Sequence, residues 1–326
     1  MVLNAAGRLE ADMRYILKKT AILILTMFLI SGFTFLAFHI IPGDPAQLIL
    51  GTSASPEQLE ALRHQLGTDL PLYRQYVQWI TGFLHGDFGT SIRYSMPVAS
   101  LLQGHLAPTL ILGAMVIAAT LLLGIPLGIL GAHKRDSLCG HILSLLDMIG
   151  ISFPEFFLSI LLMWIFGLIL HLFTPGQYVD YGSDPAGFFR FMIFPAAAIA
   201  IPQTAILAKY VRTAVIEELG KDYVRTAKGK GSTMQGILYG HVLKNAIVSI
   251  VPLIGMMIGS IFSGSIIIEQ VFGIPGVGRL LISSVSGRDF PLTETIVMYI
   301  ALIIVLTNFA VDIVIQWIDP RIRLNG

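Results

Sequence analysis

Six stretches of this chain are apolar enough, and long enough, to cross a lipid bilayer. A spanning helix needs roughly 20 mostly apolar residues. From Ala21 to Gly43 there is no Asp, Glu, Lys or Arg. The same holds from Tyr94 to His133, with Leu106 to Ala132 the strongly apolar part. A third run, about Leu138 to Phe173, is interrupted by Asp147 and Glu155. The fourth is clean from Phe191 to Ala208, the fifth from Asn245 to Ile268, and the sixth from Thr295 to Val311, reaching Ile318 if Asp312 sits at the interface. The pattern predicts an all-α integral membrane protein with about six spans.

Composition agrees with that reading. Of the 326 residues, 55% are hydrophobic and 13% are charged. A soluble domain carries about 25% charged residues, and one this apolar would expose large sticky surfaces. The net charge of +1 gives no global field to draw nucleic acid or an acidic substrate. The lone cysteine, Cys139, excludes an internal disulfide and makes redox chemistry a poor reading. The first apolar run is too long for the core of a secretory signal, and no small-residue cleavage site comes after it.

Basic residues orient the spans. If the N-terminus is cytoplasmic, 15 of the 21 Lys and Arg fall in inside segments and 6 outside. Seven of the 15 lie in one connection: Lys209, Arg212, Lys221, Arg225, Lys228, Lys230 and Lys244. Both termini are therefore expected in the cytoplasm. The first outside segment, about Pro42 to Gln103, is too long for a turn. Ser55-Pro56-Glu57-Gln58 is a helix start, with a Ser cap, Pro at the first position and Gln at the third. A second helix is predicted from Pro71 to Phe83, with Tyr73, Tyr76, Val77 and Ile80 at helical spacing. The segment reads as a small cap on the bundle, as a docking surface for an outside partner, or as both. The expected organisation is residues 1–93 as the first span plus this helical segment, 94–318 as the transmembrane core, and 319–326 as a cytoplasmic tail.

Catalytic and nucleotide-binding signatures are missing. No G-x-x-x-x-G-K-[ST] loop exists; Gly220-Lys221 is followed by Asp222, and Gly229-Lys230 by Gly231. Gly273-Ile-Pro-Gly-Val-Gly278 reads as a tight turn. The eight histidines are scattered, with His39, His105, His133 and His171 near span ends, and no metal-binding spacing occurs. No cofactor is expected, and no enzyme activity of the chain's own. The other two readings are a secondary transporter, which would show inverted repeats and paired broken helices, and a polytopic membrane enzyme, which would need more convergent polar residues.

The connection from Lys209 to Lys244 is the most informative segment. Within it, Asp222-Tyr-Val-Arg225-Thr226-Ala227-Lys-Gly-Lys-Gly231 predicts a short helix with Asp222 as its cap and glycines at its end. A short helix held between two spans is a rigid lever; the alternative is a basic loop lying on anionic headgroups. Here the chain resembles a family. Arg225-Thr226-Ala227 with Gly231 is similar to the coupling motif of binding-protein-dependent ABC permeases, in the form used by the dipeptide/oligopeptide/nickel group. His241-Val-Leu243-Lys-Asn245-Ala246 resembles the stretch next after that motif in the group. Pro42-Gly-Asp-Pro45, Pro71-Leu-Tyr-Arg-Gln-Tyr76 and Gly86-Asp-Phe-Gly-Thr-Ser91 resemble the first outer segment of that group's B-type permeases. Ile125-Pro-Leu-Gly128 resembles the second span. Glu269-Gln-Val-Phe272 with Pro275-Gly-Val-Gly278 resembles the last connection, and Asp319-Pro-Arg-Ile-Arg323 the tail.

The resemblance implies a type-I ABC importer permease that does not itself hydrolyse ATP. Its partners would be a second permease subunit (C-type), two cytoplasmic ATPase subunits and an extracytoplasmic solute-binding protein. Asp222, Arg225, Thr226, Ala227 and Gly231 would sit in an ATPase groove. Where the family's more general motif has Glu, this chain has Arg225, as the peptide group does. Dipeptides, oligopeptides, glutathione-like peptides, nickel and metal chelates all fall within the group, with peptide the leading reading.

Glu155 is the other candidate. Counted at 1.5 Å per residue from His141, it would lie about 21 Å along a continuous third span, within a hydrocarbon core roughly 30 Å thick. An acid at that depth faces protein or water. It either lines the pathway and favours a cationic group, or is a structural acid at the permease interface. Asp147 is expected near the cytoplasmic interface, and Pro195 and Pro202 as helix kinks.

Overall fold

The computed structural model describes residues 5–40, 44–51 and 54–318, with side chains at all of these except residues 5–12, 45 and 48. The Pro42-Gly43 pair and the 319–326 tail, including Asp319-Pro-Arg-Ile-Arg323, lie outside the described residues. Helices joined by turns and loops are the regular structure of the described residues, with one isolated β-bridge between Thr90 and Pro97.

The helices are α1 (Ala5–Ile40), α2 (Pro45–Leu50), α3 (Pro56–Leu66), α4 (Leu72–Leu84), α5 (Val98–His133), α6 (Leu138–Ser152), α7 (Glu155–Leu162), α8 (Pro185–Leu219), α9 (Asp222–Gly229), α10 (Met234–Ile237), α11 (Leu243–Phe272), α12 (Val277–Ser286) and α13 (Phe290–Ile318). Two π-helical segments extend this set, Met163–Ile169 after α7 and Leu238–Val242 after α10. Among the described residues, five stretches are long and apolar enough to cross a membrane: Met13–Ile40, Val98–His133, Pro185–Leu219, Met234–Phe272 and Phe290–Ile318.

The expected third span takes a different form. It is a pair, Leu138–Ser152 and Glu155–Ile169, bent by 95° at the intervening residues. The physical reason is local. Proline disfavours helical backbone at the residue before it, and Phe153 is extended, with ψ of 122°. Pro154 then becomes the residue that starts α7. The distance of about 21 Å, counted along a straight helix at 1.5 Å per residue, therefore does not give the depth of Glu155. By contrast, Pro195 and Pro202 sit inside α8 without ending it.

The chain divides into two compact units. One comprises α1 up to Lys19, Pro108–Ile274, and α13 from Thr307. Its axis is α8, the most deeply buried of the five long helices. Neighbours approach α8 through small residues, as membrane helices do when close packing replaces a hydrophobic driving force. A Cβ on Gly128 of α5 would stand 2.6 Å from the Ala208 carbonyl oxygen. Gly150 of α6 meets the Ala205 methyl in the same way. Two apolar clusters flank α8: one around Phe188, Phe191, Ile199, Ile261 and Phe272, the other around Leu207, Val211, Val224, Ile237 and Val242. Lys19 of α1 and Asp312 of α13 form an ion pair at 2.6 Å.

The second unit comprises Thr20–Ala107 and Pro275–Leu306. The Ser55 helix start forms as predicted: the Gln58 amide donates to Ser55 Oγ at 3.3 Å and the Ser55 amide to Gln58 Oε1 at 3.0 Å. The predicted second helix is α4, starting one residue after Pro71. Tyr76 ties it to α1 through a 2.7 Å hydrogen bond with Ser31 Oγ and edge-on contacts with Phe28 and Phe35. Asp289 is fully buried; Ser91 Oγ and the amides of Ile92, Arg93 and Leu292 all donate to its carboxylate.

Candidate functional site

The Asp222–Gly231 segment is a helix on a short stem. α8 runs on to Leu219, and two residues later α9 begins. Lys221 occupies the cap position and no side chain caps the helix. Asp222 is therefore not the cap expected from the sequence. It is the first helical residue, where a carboxylate gains from the helix dipole instead. Asp222 lies 3.7 Å from Arg225, with both side chains over four-fifths exposed. Ion pairs this exposed contribute little.

What holds α9 is apolar. Val224 is buried, 1% exposed, within the cluster formed by Val211, Val215, Ile237 and Val242. Ala227 and Tyr223 pack against the same cluster. Asp222, Arg225 and Thr226 are exposed, and helical spacing turns them away from the anchored face. The end of α9 folds back on itself. The Gly231 amide donates to the Lys228 carbonyl at 2.9 Å and the Ser232 amide to the Ala227 carbonyl at 3.2 Å. Gly231 has a φ of +82°, and no atom lies within 4 Å of where its Cβ would stand. Glycine is required there by the left-handed backbone, not by lack of space.

Sequence reasoning missed the residue that braces the stem. Glu218 is 9% exposed and ends α8's buried face. It accepts from Lys221 Nζ at 2.5 Å and from the Tyr223 hydroxyl at 2.8 Å. The hydrogen bond to Glu218 raises the Lys221 pKa. Burial raises that of the Tyr223 hydroxyl. The signal was available as a carboxylate three and five residues before its partners. Further along α8, Arg212 Nη1 donates to Ser144 Oγ of α6. Asp147 of α6 is half-buried and feels the charges of Arg212 and Lys209.

Glu155 forms a separate site. It starts α7, immediately after the 95° break, and is half-buried. Gln203 Nε2 of α8 donates to its Oε1 at 3.0 Å. From α11, Gly264 leaves the space the carboxylate occupies: a Cβ there would collide with Glu155 Oε2. Three helices thus converge on one carboxylate, one supplying it, one a donor and one an opening. Neither Gln203 nor Gly264 carried a sequence signal, although Gln203 directly succeeds the conspicuous Pro202. Glu269 of α11, the first residue of the Glu269-Gln-Val-Phe272 motif, is fully buried and accepts from Thr109 Oγ1 at 2.7 Å.

Comparison with known proteins identifies the family. Residues 124–324 match the family model described as "Binding-protein-dependent transport system inner membrane component", and residues 12–100 match the model for the N-terminal part of such membrane components. A Brucella abortus protein named as a peptide transport system permease is 36% identical over 310 residues, which is 95% of this chain and 99% of that one. The glutathione transport system permease GsiC of Escherichia coli K12 is 34% identical over 311 residues, again 95% and 99%. A chain of the MetNI methionine ABC transporter, solved in an inward-facing form, superposes with a TM-score of 0.55 at 16% identity. That match covers 67% of this chain and 96% of the other, and speaks to the fold alone. The chain belongs to the binding-protein-dependent transport system inner membrane component family, and is a multi-pass permease subunit of an ABC importer in the inner membrane.

Proposed function

We propose that this permease forms half of a translocation pathway for di- and oligopeptides and receives its driving force through α9. The observation that carries the coupling is the make-up of α9: an apolar root, Val224, under an exposed polar face of Asp222, Arg225 and Thr226. A cytoplasmic ATPase that grips this face would move the end of α8 with it, because Glu218 braces the two helices through Lys221 and Tyr223. Two such ATPases, a second permease subunit of C-type and an extracytoplasmic solute-binding protein complete the assembly. Both termini then lie in the cytoplasm, residues 1–93 form the first span with its outer helices, and 94–318 form the core. ATP hydrolysis belongs to the partners.

Peptide as substrate is supported by the names of relatives that align along 95% of the chain. A glutathione-like peptide is a second reading, favoured by the similarity to GsiC. Glu155, held by Gln203 beside the opening left by Gly264, would line the pathway and favour a cationic group such as a peptide amino terminus.

The test is uptake into proteoliposomes holding the whole transporter. Labelled peptide should accumulate with ATP, and a bulky residue at Gly231 should abolish accumulation while the subunit stays inserted and ATP is still hydrolysed. Normal uptake in that variant removes the lever role. Glutathione accumulation without peptide accumulation transfers the substrate assignment to the second reading. Glu155→Gln should alter affinity or rate for cationic peptides; unchanged kinetics would make Glu155 a structural acid.

A further inference from the structure

The unit holding α2, α3 and α4 contains a cavity of about 690 Å³, a size typical of sites for small organic molecules. Aromatic rings form much of its wall: Phe35 and Phe38 of α1, Trp79 of α4 and Phe290 of α13. Its ionisable lining residues are His39, Asp44, Arg63 and Glu294. Three of these are engaged. Arg63 donates from Nε and Nη2 to Asp44 Oδ2, at 2.9 and 2.6 Å. His39 makes hydrogen bonds to the Phe35 carbonyl at 2.8 Å and to Gln75 Oε1 at 3.1 Å.

Glu294 is different. It is 7% exposed, and among the described residues its carboxylate has no hydrogen-bond or ion-pair partner. Asp289, five residues earlier on the chain, shows what a satisfied buried acid looks like here, with four donors on its carboxylate. A buried carboxylate with nothing opposite it is costly, and in a membrane protein it marks a site. The cavity supplies the missing side. Its one basic group of fixed charge, Arg63, is already matched by Asp44, so nothing is left over to take an anion. Aromatic rings in the wall also suit a cation, which is attracted to a ring face.

We propose that this cavity binds a small organic ammonium ion, with the charged nitrogen set against Glu294 and its apolar body among Phe35, Trp79 and Phe290. The inference does not rest on the peptide reading. The same ammonium chemistry is offered by a soluble amine or peptide amino terminus, and by the ethanolamine headgroup of a lipid.

The experiment uses the assembled transporter in phosphatidylcholine nanodiscs. Binding of phenethylammonium is compared with that of 2-phenylethanol, its neutral counterpart of the same shape, by calorimetry. Wild type should bind the ammonium at least tenfold more tightly than the alcohol, and Glu294→Gln should lose that preference. Trp79→Leu provides a second variant that keeps the carboxylate; it should weaken the ammonium several-fold and the alcohol less. Nanodiscs containing phosphatidylethanolamine separate the sources. Competition by that lipid, and its retention on the purified wild type but not on Glu294→Gln, identifies a headgroup; no competition identifies a soluble amine. Equal affinity for the two probes in wild type overturns the proposal. So does a preference that survives Glu294→Gln, or one lost in Glu155→Gln instead.

Discussion

Two segments of this permease are immobilised by opposite means. The stretch from Ser91 to Arg93 is locked to the start of α13 by Asp289, whose buried carboxylate accepts from a hydroxyl and three backbone amides. α9 is held by one buried valine and a braced stem, and presents its polar side chains to whatever lies outside. The difference is one of purpose. A fully satisfied buried charge permits a single geometry, because any displacement strands donors away from water. An apolar root is non-directional, so the root itself fixes no single orientation of α9, and a directional hold comes from the Glu218 brace that ties it to the end of α8. A lock suits a part that must keep its shape, and a root suits a part that must be moved by a partner.

The largest expected effect breaks the lock. Asp289→Ala leaves Ser91 and three amides without an acceptor and should cost about 3 kcal/mol or more of stability. Melting of the purified transporter measures it, and Asp289→Asn, which keeps an acceptor, should lose less. If Asp289→Ala melts like wild type, the contrast between the two regions collapses. Next comes the root. Val224→Ala removes two buried methyl groups, about 0.8 kcal/mol for each plus a cavity cost, for a total of about 2 kcal/mol. Because that loss is local to α9, ATP hydrolysis should persist while the uptake per ATP falls several-fold. Coupling at the wild-type ratio would show that α9 is fixed by something other than Val224.

Gly231→Ala sharpens the same point on a smaller scale. No atom obstructs the new methyl group, so its cost is the left-handed backbone alone, about 1 kcal/mol. An alanine that transports normally beside a bulky residue that does not would shift the role of Gly231 from backbone to clearance against a partner. The smallest effect is at the brace. Lys221 is half-exposed and its ion pair is screened by solvent, so Lys221→Met should change melting least of these variants. Its pH dependence has a definite sign. The Lys221 pKa is raised above its ordinary 10.5 by Glu218, so the bridge contributes fully below that value. The contribution is lost as pH rises through the raised pKa. A melting difference between Lys221→Met and wild type should shrink above that pH and not below it.

Much of the architecture could be read from local pattern. The apolar runs, the Ser55 start of α3, the span of α4 and the short helix after Lys221 are all decided by residues a few positions apart. The break after Phe153 was readable too, since Pro154 sits in the run and restrains its predecessor. The largely apolar composition of the run hid it, because hydropathy measures the length of a run and not whether its backbone stays helical. The Asp222 cap failed for a related reason. Asp is favoured both at the cap and in the first turn, and one position separates the two.

By itself, the order of residues settled where the long apolar runs lie and which connection is basic, because hydropathy and charge are properties of a segment. Asp222 to Gly231 were legible as one element on the same ground. Only the tertiary structure decided what each buried charge meets. Glu155 finds Gln203 and Gly264, Asp289 finds Ser91, and Glu294 finds an aromatic cavity. These partners are remote along the chain and share no periodicity with the acids. A carboxylate's environment is set by whichever helices pack against it, and local pattern holds no record of that packing.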